Sequence, residues 1–116
     1  MIGKLATFVI DCPDPRKLAE FYAQLTGLTV LRPSDDWVWL GDTKPRMAFQ
    51  LAPDHKPPRW PDPDYPQQCH IDVEVEDIEE AEAKVLALGA TRLAADDGEQ
   101  CRVYADPAGH PFCLVW

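Results

Sequence analysis

Thr7-Phe8-Val9-Ile10-Asp11-Cys12-Pro13-Asp14 leads into a helical pattern that stops at Gly27. The same pattern returns 63 positions later as His70-Ile71-Asp72-Val73-Glu74-Val75-Glu76-Asp77, with a second helical pattern stopping at Gly89. The far ends of the two halves match at that same offset, Phe49-Gln50-Leu51 lying over Phe112-Cys113-Leu114. A repeated unit of this size predicts a pseudo-symmetric fold, with the space between the copies as a natural binding site.

Working outward from the first copy, β-branched and aromatic residues predict a strand over Leu5–Cys12. Asp14 is a helix N-cap, Pro15 fits the first helical position, and Gly27 supplies the stop. Leu18, Phe21, Tyr22 and Leu25 recur at helical spacing between them. Short strands follow at Leu28–Leu31, Trp37–Leu40 and Arg46–Ala52. The second copy repeats this order. Cys69–Val75 is a strand, Asp77 caps a helix carrying Ile78, Ala81, Val85 and Leu88, and Gly89 ends it. Strands follow at Thr91–Ala94, Cys101–Ala105 and Phe112–Trp116, with turns predicted at Asp96-Asp97-Gly98 and Asp106-Pro107-Ala108-Gly109. The pattern is βαβββ twice, an α+β fold. Between the copies, residues 53–68 hold six of the twelve prolines, which predicts a stiff, extended connector.

Strand side chains alternate faces. Helices need apolar partners, so they are expected on the Phe8, Phe49, Ile71 and Phe112 faces. The opposite faces then collect Thr7, Asp11, Gln50, His70, Asp72, Glu74 and Cys113, one polar set from each copy. Trp37 and Trp39 share a strand face, and the 63-residue offset lays them over Gln100 and Arg102. Indoles favour flat or apolar ligands and guanidinium favours carboxylates. The expected ligand-binding cleft is therefore Thr7, Asp11, Trp37, Trp39, Gln50, His70, Asp72, Arg102 and Cys113. His70 is the candidate catalytic group, as a base, a hydrogen-bonding group or a metal ligand.

A net charge of −9 argues against nucleic acid, whose phosphates demand a basic patch. No apolar run approaches the ~20 residues of a membrane span, and no signal-peptide pattern opens the chain, so a cytoplasmic location is expected. Cys12, Cys69, Cys101 and Cys113 form no CxxC pair, which argues against a zinc finger or a thioredoxin-type pair and predicts free thiols.

Three motifs in this order resemble the vicinal oxygen chelate superfamily: Val9-Ile10-Asp11-Cys12-Pro13-Asp14 leading to Phe21-Tyr22 and Gly27, His70-Ile71-Asp72-Val73 leading to Asp77, and Asp106-Pro107-Ala108-Gly109-His110-Pro111-Phe112. That superfamily includes glyoxalase I, the bleomycin- and fosfomycin-resistance proteins and the extradiol dioxygenases. The resemblance is to its small glyoxalase-like domains and covers nearly the whole chain. It implies a single domain, residues 1–116, in which module 1 (1–52) and module 2 (69–116) form a curved mixed sheet around a cleft, the glyoxalase/bleomycin resistance/dihydroxybiphenyl dioxygenase fold.

In metal-dependent relatives four cavity side chains chelate a divalent ion. The resemblance maps those positions to Thr7, Gln50, His70 and Cys113. Thr7 stands where His, Gln or Glu is usual, and Cys113 where a glutamate is usual. The expectation is therefore a small-organic-molecule-binding protein without a tightly bound metal, acting by sequestration or metal-free catalysis on a metabolite. The alternative is a lyase, isomerase or dioxygenase that uses zinc or another divalent ion held by Gln50, His70 and Cys113. A third reading is a ligand-free interaction module. The resemblance also implies a homodimer.

Overall fold

The computed structural model describes residues 1–94 and 100–116, so the turn expected at Asp96-Asp97-Gly98 lies outside the described residues. The chain divides into two units, Met1–His55 and Lys56–Trp116.

In the first unit, β1 (Thr7–Cys12) is followed by α1 (Pro15–Thr26), β2 (Val30–Leu31), β3 (Trp37–Leu40) and β4 (Arg46–Leu51). The sheet order is β1-β4-β3-β2. β1 runs parallel to β4, and the other pairs are antiparallel. Asp14 caps α1 by accepting a hydrogen bond from the Lys17 amide at 3.2 Å. Gly27 ends the helix at φ 75°, a left-handed conformation that glycine adopts without a Cβ penalty.

The second unit repeats the plan with β5 (Ile71–Glu74), α2 (Ile78–Ala87), β6 (Thr91–Ala94), β7 (Cys101–Ala105) and β8 (Pro111–Val115). Its sheet order is β5-β8-β7-β6, with β5 parallel to β8. Asp77 caps α2 by accepting from the Glu80 amide at 3.0 Å. The βαβββ pattern is thus present twice, with the same strand order in each sheet.

Each unit buries its apolar face under its own helix. Leu18, Phe21 and Tyr22 of α1, together with Ile10, Val38, Leu40 and Phe49, are buried. Tyr22 stacks on Phe49 with ring centroids 5.5 Å apart. The second unit sets Tyr104 against Phe112 at the same 5.5 Å. The matched phenylalanines keep their role, but the tyrosine comes from a helix in one unit and from a neighbouring strand in the other.

The repeat is not a single rigid offset. The partner of a β1 residue lies 39 positions ahead, as in Thr7 with Arg46 and Asp11 with Gln50. The partner of a β5 residue lies 41 ahead, as in Asp72 with Cys113.

The proline-rich segment folds back on itself, where an extended connector was expected. The Arg59 amide donates to the Tyr65 carbonyl at 2.8 Å, and the Tyr65 amide donates to the Asp62 carbonyl at 3.1 Å. The Arg59 guanidinium lies 4.3 Å over the Tyr65 ring. Prolines fix φ without forbidding turns, and Asp62 supplies the turn chemistry by accepting from the Asp64 amide at 2.9 Å.

Candidate functional site

Directly paired strand residues share a face. Val38, Leu40 and Phe49 point toward α1, so the face of the first sheet away from α1 carries Thr7, Val9 and Asp11, Arg46, Ala48 and Gln50, and Trp37 and Trp39. Thr7 pairs with Arg46. Gln50 sits opposite Asp11, four residues further along, about 13 Å from Thr7 at the usual strand rise.

On this face Trp37 and Trp39 meet edge to face with ring centroids 5.1 Å apart. The Arg46 guanidinium lies 3.8 Å over the Trp39 ring, a cation–π contact that holds its fork in place. Trp37 Nε1 and Arg46 Nε are both buried and find no hydrogen-bond partner among the described residues. Buried donors are normally paired. Two buried, unpaired donors beside an aromatic pair are polar groups that an acceptor entering this face would satisfy.

On the second sheet the face away from α2 carries Asp72 of β5, Cys113 of β8 and Val103 of β7, which lie abreast. His70 directly precedes β5, and its Nε2 stands 3.5 Å from Asp72 Oδ1, both side chains being largely exposed. One ligand atom from each of His70, Asp72 and Cys113 falls within 4.8 Å of the others. Cys113 is buried. Burial pushes its thiol up to about 12, with the Cys101 sulfur and the Asp72 carboxylate adding to the effect.

Arg102 lies elsewhere. It pairs with Leu114, on the face packed by α2. Its guanidinium donates to Glu82 at 2.9 Å and to Glu79 at 2.6 Å. The Tyr104 hydroxyl donates to Glu82 at 2.5 Å, and Arg92 donates to the same carboxylate at 3.0 Å. This network binds α2 to its sheet. A constant 63-residue offset had laid Arg102 over Trp39, but Val38 pairs with Phe49 and Tyr104 with Phe112, a slip of three residues from that offset, and an odd slip turns a strand side chain to the opposite face.

The nine sequence-selected cleft residues therefore fall into three places. Thr7, Asp11, Trp37, Trp39 and Gln50 share the helix-free face of the first sheet. His70, Asp72 and Cys113 converge in the second unit. Arg102 joins a helix-anchoring network. Sequence reasoning missed Arg46 and Cys101. Arg46 has no polar counterpart in the second copy, and only the β1–β4 register shows that it lies across from Thr7.

A hard divalent ion does not fit the implied set of Thr7, Gln50, His70 and Cys113. Thr7 and Gln50 stand too far apart along their strands for two bonds of about 2.0–2.2 Å. Next to Thr7 the sheet presents a guanidinium, whose positive charge repels a cation.

Residues 7–115 match the family model described as Glyoxalase-like domain. No curated protein matches the chain. Among solved structures, the chain is similar to a glyoxalase/bleomycin resistance protein/dioxygenase family enzyme from Burkholderia phytofirmans, at 16% identity and TM-score 0.76 over 97% of each chain. It is similar to the trypanothione-dependent glyoxalase I of Leishmania major, at 22% identity and TM-score 0.68, covering 97% of this chain and 86% of that one. It is also similar to the bleomycin-binding protein of Streptomyces verticillus complexed with copper(II)-bleomycin, at 13% identity and TM-score 0.60, covering 99% and 98%. At these identities the likeness shows a shared fold.

Proposed function

The chain belongs to the glyoxalase-like domain family, matched over nearly its whole length, and on that footing we propose that it binds a small, flat, anionic organic molecule. The binding surface is the helix-free face of the first sheet. The observation that carries this reading is the Trp37–Trp39–Arg46 cluster, with its two unpaired buried donors. A planar ring stacks against an indole, and a carboxylate accepts from the guanidinium and from Trp37 Nε1. Thr7 and Gln50 supply further polar contacts along the same face. The reading requires no metal ion.

Sequestration is the simplest role for such a surface. The bleomycin-binding protein of S. verticillus is a relative by fold with a small molecule bound. A metal-free catalytic role would fall to His70.

A thermal-shift series of aromatic carboxylates, each paired with its neutral amide, tests the proposal. A ligand that binds only the folded state raises its stability by mass action. Carboxylates that raise the melting temperature where their amides do not support the reading, and a series with no response from either sinks it.

The protein is further proposed to act as a cytoplasmic homodimer. No helix of the described residues is long and apolar enough to cross a membrane, and four free cysteines suit a reducing compartment. β1 ends its sheet and leaves Phe8 and Val9 exposed, an edge open to pairing. A solution mass of one chain by light scattering would contradict the dimer.

A further inference from the structure

The helix-free face of the first sheet also carries the Asp11 carboxylate, which the anion site leaves unused. We propose that the ligand of this face is a zwitterion. Its carboxylate is read at Arg46, and a cationic nitrogen at its other end is read by Asp11 with Gln50 beside it. This rests on the anion-site reading and narrows it from flat organic anions to flat amino carboxylates.

The strand register lays the face out in three rows. Thr7 and Arg46 form the first. Val9, Ala48 and Trp39 lie abreast in the second, and Asp11, Gln50 and Trp37 in the third. Two residues separate successive rows, about 7 Å at the usual strand rise. The middle row is apolar: Ala48 is buried, Val9 is 37% exposed, and Trp39 stands beside them. Among these residues charge is confined to the outer rows, positive in the first and negative in the third.

The two charges are held apart. Asp11 lies four residues along from Thr7, the partner of Arg46, and one strand over from β4. That puts the Cα atoms of Asp11 and Arg46 about 14 Å apart at ordinary strand rise and spacing. The Arg46 guanidinium is drawn the other way, 3.8 Å over the ring of Trp39 on β3, across β4 from β1. Stacked there, it does not neutralise Asp11. Taking off the Asp11 side chain and part of the Arg46 stem leaves room for ligand charges on the order of 10 Å apart.

Asp11 is exposed. It has a neighbour of its own, but an ionised carboxylate offers about four acceptor sites, enough for that neighbour and a ligand. A cationic nitrogen donates to it in a charge-assisted hydrogen bond, and the Gln50 carbonyl oxygen accepts beside it. The flat body of the ligand then crosses the apolar middle row. A dicarboxylate of the same length meets repulsion at Asp11, so the residue that selects the amine also selects against a second acid.

The test is calorimetric titration of the full-length chain at low salt and neutral pH. The probes are 2-naphthoate and its 6-aminomethyl, 6-hydroxymethyl and 6-carboxylate derivatives. The aminomethyl compound should bind about three- to fivefold more tightly than its neutral hydroxymethyl counterpart, the scale of one exposed ion pair. The 6-carboxylate should bind more weakly than the hydroxymethyl compound. The aminomethyl advantage should shrink as ionic strength rises, a readout that needs no variant. In D11N, checked for folding by circular dichroism, the aminomethyl and hydroxymethyl affinities should converge. Equal affinities of those two in the wild type overturn the inference while leaving the anion site standing, and so does an aminomethyl advantage that survives in D11N. If none of the four binds, the anion site itself fails and the inference falls with it.

Discussion

Thr7 faces Arg46 across the β1–β4 pairing, with Gln50 four residues beyond. This register sets a cation beside Thr7, and the proposed anion site rests on that cation. The Arg46→Met substitution keeps the aliphatic stem and removes the guanidinium. It should weaken an aromatic carboxylate by at least about tenfold, the scale of one charge-assisted hydrogen bond, and should lower stability by only about 1 kcal/mol, the loss of the cation–π contact with Trp39. Calorimetric titration alongside a thermal melt checks both parts.

In the second unit, the Tyr104 hydroxyl donates to Glu82 at 2.5 Å from a fully buried ring. Tyr104→Phe should cost about 2 kcal/mol, since the hydrogen bond is to a charged acceptor. Denaturant unfolding measures it.

The same carboxylate makes a pH prediction. The Tyr104 hydroxyl, followed by the arginines Arg102 and Arg92, holds the Glu82 carboxyl below its ordinary 4.5 against the opposing effect of burial. A lowered folded value means that the ionised form favours folding. The contribution is present above the unfolded range and is lost as pH falls through the folded value. Wild-type stability should therefore drop on acidification below about pH 4.5. Glu82→Gln should be less stable at neutral pH by about 1–2 kcal/mol, allowing for partial solvent screening, and should show a shallower acid slope. Stability curves at a series of pH values compare the two.

Gly109 and Gly27 both hold positive φ, at 93° and 75°. They differ in surroundings. A Cβ at Gly109 would lie 2.5 Å from Pro57 Cβ, whereas one at Gly27 would meet nothing within 4 Å. Gly27→Ala should cost about 1 kcal/mol from backbone strain alone. Gly109→Ala should cost about 3 kcal/mol, because the proline-rich segment must also shift. Equal losses in urea would show that the segment moves away freely.

Phe49 and Phe112 are both fully buried, and each is stacked on a tyrosine. Replacing either by alanine should cost about 3–5 kcal/mol, a large share of a stability on the order of 5–15 kcal/mol. Chemical denaturation of the two variants checks that the matched positions carry matched weight.

Much of this architecture was legible in the sequence. Asp14-Pro15 and Asp77 announce helix starts, Gly27 and Gly89 announce their ends, and alternation in the strands separates Phe49 and Phe112 from Gln50 and Cys113. These are local signals, and local signals survive in a single sequence. The candidate site was less legible because it depends on register. Extending one offset through every strand put Arg102 beside Trp39, although it faces α2 and binds Glu79 and Glu82. It also equated Thr7 with His70, although the parallel pairs advance by 39 and 41 positions, so that with Gln50 matched to Cys113 it is Asp11 that corresponds to Asp72. Asp72 read only as one of the polar cleft residues until the register set it directly opposite Cys113. Arg46 read as the first residue of a strand until its position across from Thr7 was known.

The most direct test of the central claim is calorimetric titration of the chain, in EDTA, with 2-naphthoate and with 2-naphthamide. The two probes share a flat ring and differ in the carboxylate. Saturable binding of the naphthoate to one site per chain, with the amide at least about tenfold weaker and the preference lost in Arg46→Met, is the predicted result. Equal binding of the two, or binding of neither, would contradict the assignment of the Trp37–Trp39–Arg46 face as an anion-reading ligand site.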